Sequence, residues 1–229
     1  MADLLRLNKF LAESLGLSRR EADDLIAAGK VTVNGQTAVL GARVNTDDQI
    51  LCRGQSVRSL PDYTYLALNK PAGYVCSRKR QGEFPTLYEL LPEKYHTLKT
   101  VGRLDKDSSG LILLTNDGDF AFQMTHPKFA KHKVYDVELD HPLEPLHQQM
   151  IADFGVDLTD GRSQLGLEKL NENRKVWRVS MQEGRNRQIR RTFGALGYTV
   201  TKLHRLQFGP YQLDGLGEGK IVEIKKVDM

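Results

Sequence analysis

Four short runs constrain the fold of this chain more than any other feature. Tyr63–Pro71 (YTYLALNKP), Leu111–Thr115 (LILLT), Lys133–Asp140 (KVYDVELD) and Lys175–Glu183 (KVWRVSMQE) read as β-strands. Hairpin-length gaps and few clean β-α-β intervals separate the strand signals. That spacing predicts an α+β unit with a mixed, mainly antiparallel sheet, flanked by helices. A helical spacing is clear in RNRQIRRTFGALG, from Arg185 to Gly197.

The first fifty residues follow different rules. Leu7, Phe10, Leu11 and Leu15 recur at helical spacing, and Gly16 can close that helix. Ser18 and Glu21 form the capping box of a second helix, whose apolar stripe is Ala22, Leu25 and Ile26 and whose end is Gly29. Asn34-Gly35 then sits between two alternating runs, a strong hairpin signal. The boundary is expected near residue 58, and a linker (RGQSVRSLPDY, Arg53–Tyr63) leads to a second unit over 63–229. Arg19 and Arg20 fall in the first turn of the second helix, where the helix dipole disfavours cations by ~0.3–1 kcal/mol each. A cation pair set against the dipole suggests an external anion, with phosphate oxygens the obvious candidate.

Charge is mixed, with 33 Lys+Arg against 29 Asp+Glu and a net +4. The basic excess is local: Arg185, Arg187, Arg190, Arg191, Lys202 and Arg205 face only Glu183 in their stretch. A polyanion site accounts for that better than a solvated face. The two cysteines, Cys52 and Cys76, each stand beside apolar residues and read as buried thiols in a reducing compartment. There is no apolar run of membrane-spanning length and no secretory leader pattern, which points to a cytosolic protein with no membrane partner.

GRLDKDSSGLILLTND, from Gly102 to Asp117, admits two carboxylate chemistries. Asp105, Asp107, Ser109 and Gly110 occupy the first, third, fifth and sixth places of an EF-hand calcium loop. The twelfth place is Asn116 rather than the required Glu, and turn and strand signals replace the clasping helices. Zinc is equally poorly served: the six histidines show no H-E-x-x-H and no cysteine couplet, and read as surface or RNA-contact residues. DGLGEGK (Asp214–Lys220) lacks phosphate-loop spacing and reads as a turn. No metal is expected.

What remains is Asp105 beside Arg103. A lone carboxylate can act as a nucleophile when a cation keeps it ionised. In EGRNRQIRR, a helix would put Ile189, Phe193 and Leu196 on the core face and Arg187 and Arg191 opposite, free for phosphates. Arg190, at the boundary, is best placed to turn toward a buried acid. Tyr135, on one strand face with Val137 and Leu139, can stack on a flat substrate or simply pack in the core.

Two resemblances sharpen this. RLNKFLAESLGLSRREADDLIAAGKVTVNGQ resembles the S4-type RNA-binding domain, over Leu4 to about Arg53. LNKPAGYVCS, GRLDKDSSGLILLTNDGD, HPKFAKHKVYDVEL and EGRNRQIRR, in that order, resemble the RsuA-type ribosomal RNA pseudouridine synthases. The resemblance implies a small S4-type domain of helices and a β-hairpin, followed by a catalytic domain. It further implies that Asp105 is the catalytic aspartate, Tyr135 the tyrosine beneath the target base and Arg190 the basic partner of Asp105. Arg103 corresponds to the arginine that holds the flipped-out state, and Leu203 to the apolar residue lining the base pocket. Lys70, in the first motif, joins Arg187, Arg191, Arg19 and Arg20 as RNA-binding candidates. The implied reaction is isomerisation of a uridine, which needs no cofactor because nothing is oxidised and no group is donated. Ribosomal RNA, free or in a subunit precursor, is the implied partner of a monomeric enzyme. The rival reading is a non-catalytic RNA-binding or ribosome-assembly protein using the same basic surfaces. KPAGYVCS leans toward small-subunit members and EGRNRQIRR toward large-subunit members.

Overall fold

In a computed structural model, residues 4–45, 47–57 and 62–227 are described. They fall into two compact units, one running to Thr64 with Asn116–Gly118 added, the other comprising Tyr65–Thr115 and the chain from Asp119. Residues 58–61 of the expected linker lie outside the described residues.

The first unit contains β1 (Leu5–Arg6), α1 (Leu7–Leu15), α2 (Arg19–Ala27), β2 (Val31–Val33), β3 (Gln36–Thr37), β4 (Arg43–Val44), β5 (Ile50–Cys52) and β6 (Gln55–Ser56). Gly16 ends α1 at φ 68, a left-handed cap that glycine adopts without strain. Both halves of the capping box are made: Glu21 N–H donates to Ser18 Oγ at 3.1 Å, and Ser18 N–H to Glu21 Oε2 at 2.6 Å. Asn34 and Gly35, both at positive φ, turn β2 into β3, and the small sheet has the order β3-β2-β5-β6. Leu7, Leu11, Ala22, Ile26, Val31 and Ile50 are its core, whereas Leu15 is exposed. Arg19 and Arg20 are exposed in the first turn of α2.

The second unit contains β7 (Tyr65–Lys70), β8 (Lys99–Val101), β9 (Ser109–Thr115), α3 (Gly118–Thr125), β10 (Lys133–Leu139), α4 (Pro145–Gln149), β11 (Val156–Leu158), β12 (Gly161–Ser163), β13 (Gly166–Lys169), β14 (Val176–Met181), α5 (Gln188–Gly194), β15 (Val200–Phe208), β16 (Tyr211–Gln212) and β17 (Ile221–Glu223). The main sheet has the order β13-β14-β10-β15-β9-β7-β17. Its one parallel pairing is β9 with β15; the others are antiparallel. The mixed, mainly antiparallel sheet read from the sequence is what forms.

Strand β9 is buried on both faces, which is why it reads as an unbroken apolar run. Ile112 and Leu114 pack with Val137, Trp177, Ile189 and Phe193, the last two from α5. Leu111 and Leu113 pack with Phe120 and Met124 of α3 on the other side. No helix among the described residues is long and apolar enough to cross a membrane.

Gly110 has a particular duty at the start of β9. Its φ is +103, and a Cβ there would meet the backbone nitrogen and carbonyl carbon of Arg205 at 2.5 and 2.9 Å. Only glycine lets β9 and β15 come this close. Gly110→Ala is expected to lose about 3 kcal/mol of stability or more, from overpacking added to backbone strain, measured by urea unfolding.

Candidate active site

One cleft of about 790 Å³ opens in the second unit, over the start of β9. Asp105, Arg103, Tyr135, Arg187 and Leu203 all line it. Asp105 stands in the loop between β8 and β9, shaped by a turn in which Ser108 N–H donates to Asp105 O at 3.1 Å. The loop is anchored from outside as well: Gly73 N–H reaches Lys106 O at 2.7 Å, and Leu104 N–H reaches Cys76 Sγ at 3.4 Å. Cys76 is half-buried rather than buried, and burial raises its pKa. Tyr135 projects from β10 on the same buried face as Val137 and Leu139, while Leu203 comes from β15. Arg103 is exposed at the cleft.

The cations are arranged differently from the sequence expectation. The residue in contact with Asp105 is Arg187, whose Nη1 lies 3.4 Å from Asp105 Oδ2. Arg187 also forks onto Asp107, donating to its two carboxylate oxygens at 3.1 and 3.3 Å. Arg190 was expected to face Asp105. Instead its Nε ion-pairs with Asp107 at 3.4 Å, and its other nitrogens donate to Asp107 O and Val200 O. The reason is local backbone geometry. The helix starts at Gln188, and Arg187 is its N-cap at φ 46, so Arg187 and Arg191 do not share a helical face. The left-handed residue swings Arg187 back over the Asp105 loop.

Two further expectations need correction. Arg191 is not a free phosphate ligand: it makes a bidentate pair with Asp160, at 2.9 and 2.7 Å. Arg185 joins the same carboxylate at 2.9 Å, so the turn between β11 and β12 holds the arginine loop in place. Lys70 is wholly buried, and its Nζ donates to Pro71 O at 2.8 Å, which removes it from any direct contact with RNA. Burial pulls the Lys70 pKa down, against the attraction of Cys76, Asp107 and Asp105.

Sequence reading also missed residues. Asp107, noted in the sequence only as a place in the calcium-loop pattern, gathers both Arg187 and Arg190; burial opposes its ionisation, but the two guanidiniums win and its pKa is lowered. Arg205 is buried under the cleft, donating through Nε to Leu111 O at 2.7 Å, and its Nη2 has no hydrogen-bond partner among the described residues. Lys133 lines the cleft and donates to the carbonyls of Lys131 and Gln182 at 3.0 and 3.1 Å. The signal for each lay in partners distant in sequence, across the sheet for Arg205 and Lys133 and around α5 for Asp107, which one sequence does not display. The histidines are partly structural: His204 Nδ1 bonds Ser109 Oγ at 2.8 Å and His147 Nδ1 bonds the Tyr198 hydroxyl at 2.7 Å. Ser109 and Gly110, two places of the calcium-loop pattern set aside on sequence grounds, are paired strand residues in β9.

Residues 64–195 match the RNA pseudouridylate synthase family, and residues 5–50 match the S4 domain. The chain belongs to the RNA pseudouridylate synthase family. Ribosomal small subunit pseudouridine synthase A of Pasteurella multocida (strain Pm70) is 39% identical over 228 residues, 94% of each chain. Ribosomal large subunit pseudouridine synthase B of Bacillus subtilis (strain 168) is 34% identical over 229 residues, 96% of this chain and 91% of that one. A crystal structure of a pseudouridylate synthase superposes with a TM-score of 0.69 at 33% identity, covering 96% of both chains. The protein is accordingly an enzyme, an isomerase, and the non-catalytic reading falls away.

Within this pseudouridine synthase, Lys133 gives a test of the cleft's electrostatics. Burial, with Arg205 adding to it, lowers its pKa from 10.5 to about 8. Between those two values the unfolded chain holds a proton that the folded chain has shed, so this group makes stability rise with pH. The stability of the wild type relative to Lys133→Met should therefore increase from pH 8 toward pH 10. Urea midpoints measured for both proteins at several pH values check the sign.

Proposed function

We propose that the substrate is a uridine in ribosomal RNA and that Asp105 is the carboxylate that acts on its ribose. The observation that carries this reading is the convergence of Asp105, Tyr135, Leu203 and Arg187 on one cleft. Relatives named for small- and large-subunit ribosomal RNA support the substrate class. In this reading residues 1–58 are the RNA-binding S4-type domain and 63–229 the catalytic domain of a monomeric, cytoplasmic enzyme.

The reaction breaks the N1–C1′ bond, turns the uracil and joins C5 to C1′. The C5 proton is lost and N1 gains one, so atoms balance and no cofactor is called for. The base must leave its stack to turn, which requires extrusion into a pocket. Tyr135 and Leu203 offer that base a buried aromatic and aliphatic surface. Arg103, exposed beside the cleft, is placed to occupy the gap left by the extruded base. Arg187 supplies the counter-charge for Asp105, and Arg190 fixes Asp107, which in turn orients Arg187. When the glycosidic bond breaks, negative charge develops on the departing uracil, and Arg205 and Lys133 give the cleft a positive potential there. Arg19 and Arg20 bind phosphate at the start of α2.

Asp105 works by one of two routes, addition to C1′ or removal of the C2′ proton to form a glycal. A primary isotope effect with 2′-deuterated uridine marks the second route, and its absence marks the first. Release of tritium from ribosomal RNA labelled at C5 of uridine tests the reading as a whole. Asp105→Asn should lower the rate by about a thousandfold or more. Arg187→Ala should lower kcat by about a hundredfold through loss of the fixed counter-charge. Asp105→Asn protein that still releases label at the wild-type rate would remove Asp105 from the chemistry.

A further inference from the structure

Beside the cleft, outside the residues used so far, lies an exposed aromatic cluster. Phe122, in α3, is 47% exposed and Phe129, just beyond it, is 36% exposed. Their rings meet edge to face with centroids 5.8 Å apart, and the His126 ring stands 4.7 Å from Phe122 and 6.4 Å from Phe129. Lys128 Nζ lies over both phenylalanines, 5.3 and 4.6 Å from their centroids. Single exposed apolar side chains are ordinary, but three exposed rings in mutual contact are not.

The cluster is also rigid. Pro127 starts a short turn in which Phe129 N–H donates to His126 O at 3.1 Å and Ala130 N–H to Pro127 O at 3.0 Å. The Lys128 N–H donates to His126 Nδ1 at 3.3 Å, fixing the imidazole, and Ala130 closes the turn at φ 43. The turn is continuous with the cleft, since His126, Pro127, Ala130 and Lys131 line both. From Phe120 to Tyr135 the chain carries Lys128, Lys131 and Lys133 and no acidic residue.

We propose that Phe122, His126 and Phe129 form a stacking platform for an unpaired RNA base next to the target uridine, with Lys128 on the adjoining phosphate. The inference rests on the cleft taking RNA. Extruding the uridine leaves its neighbours without a stacking partner on one side, and aromatic faces at the cleft's rim replace what they lose. Rings interleaved with cations, without acids, suit a polyanion carrying flat bases better than a protein surface. Preorganisation of the turn lowers the ordering cost on binding.

Two readouts test this. The first is tritium release from transcripts of small- and large-subunit ribosomal RNA labelled with [5-³H]uridine. The Phe122→Ala/Phe129→Ala protein should show KM raised about ten- to a hundredfold, with the loss carried by KM rather than kcat. Phe122→Tyr/Phe129→Trp should restore KM, because any aromatic face serves. The second readout is binding to a short oligouridylate containing one 2-aminopurine. Wild-type protein should quench its fluorescence by stacking, and the alanine pair should not. Lys128→Ala should reduce the slope of log affinity against log salt by about 0.7.

Unchanged KM and unchanged quenching in a folded alanine pair would overturn the platform and leave that surface to a protein partner. Loss of KM that the Tyr/Trp pair does not restore would also overturn it, since the defect would then be structural. Absence of tritium release by the wild type from both transcripts and from labelled subunit precursors would count against the ribosomal RNA substrate. The oligouridylate quenching would still decide the platform by itself.

Discussion

The site depends on the approach of β9 to β15 at Gly110. There the backbone of Arg205 lies against a residue that has no room for a side chain. The register makes Gly110 the hub of one row across the sheet: Lys70 pairs with Gly110, Gly110 with Arg205, Arg205 with Tyr135. That row fixes the Asp105 loop, which ends where β9 begins, relative to the tyrosine of the cleft. It also sets Arg205 beneath the cleft, tied through Nε to the carbonyl of Leu111 on β9. A looser seam would move Asp105 relative to Tyr135, and small displacements of that kind are costly for any reaction that depends on orientation.

The second ordering principle is charge pairing around the arginine loop. Four arginines read from the sequence as a polyanion surface are mostly committed to acids or backbone carbonyls. Arg185 and Arg191 hold Asp160, while Arg187 and Arg190 hold Asp107. Partly exposed ion pairs of this sort add little to stability individually. Their effect here is geometric, since they hold Arg187 in a left-handed conformation that a non-glycine residue adopts at a cost. The positive charge presented outward then comes from other residues, among them Arg103, Arg19 and Arg20.

Much of the fold could be read from the chain because local signals agreed with the tertiary outcome. Gly16, the Ser18–Glu21 box and Asn34-Gly35 act within a few residues, so a linear reading finds them. The alternation of Tyr135, Val137 and Leu139 likewise survives, because one face of β10 is buried and the other is not. The arginines were less legible. Periodicity assumes that a helix extends through Arg187, but the backbone turns left-handed at that residue and the phase is lost. Lys70 shows the same limit from another side. A lysine in a motif of an RNA enzyme suggests a phosphate ligand, yet this one is sealed at the end of β7.

Buried cations without matching buried acids give the cleft its character. Lys70 and Arg205 are both sealed from solvent, Lys133 is partly so, and each sits near the row that crosses Gly110. Burial of an ammonium is normally relieved by losing the proton, and Lys70 and Lys133 are both pushed in that direction. A guanidinium has no such escape, because it stays charged under any ordinary condition. Arg205 pushes Lys133 toward neutrality and leaves Nη2 without a hydrogen-bond partner among the described residues. A buried positive charge without a matching buried acid costs stability. Negative charge in the cleft, such as the proposed reaction develops as uracil parts from its ribose, would offset that cost. A buried positive charge of this kind favours arrangements with negative charge in the cleft over those without it.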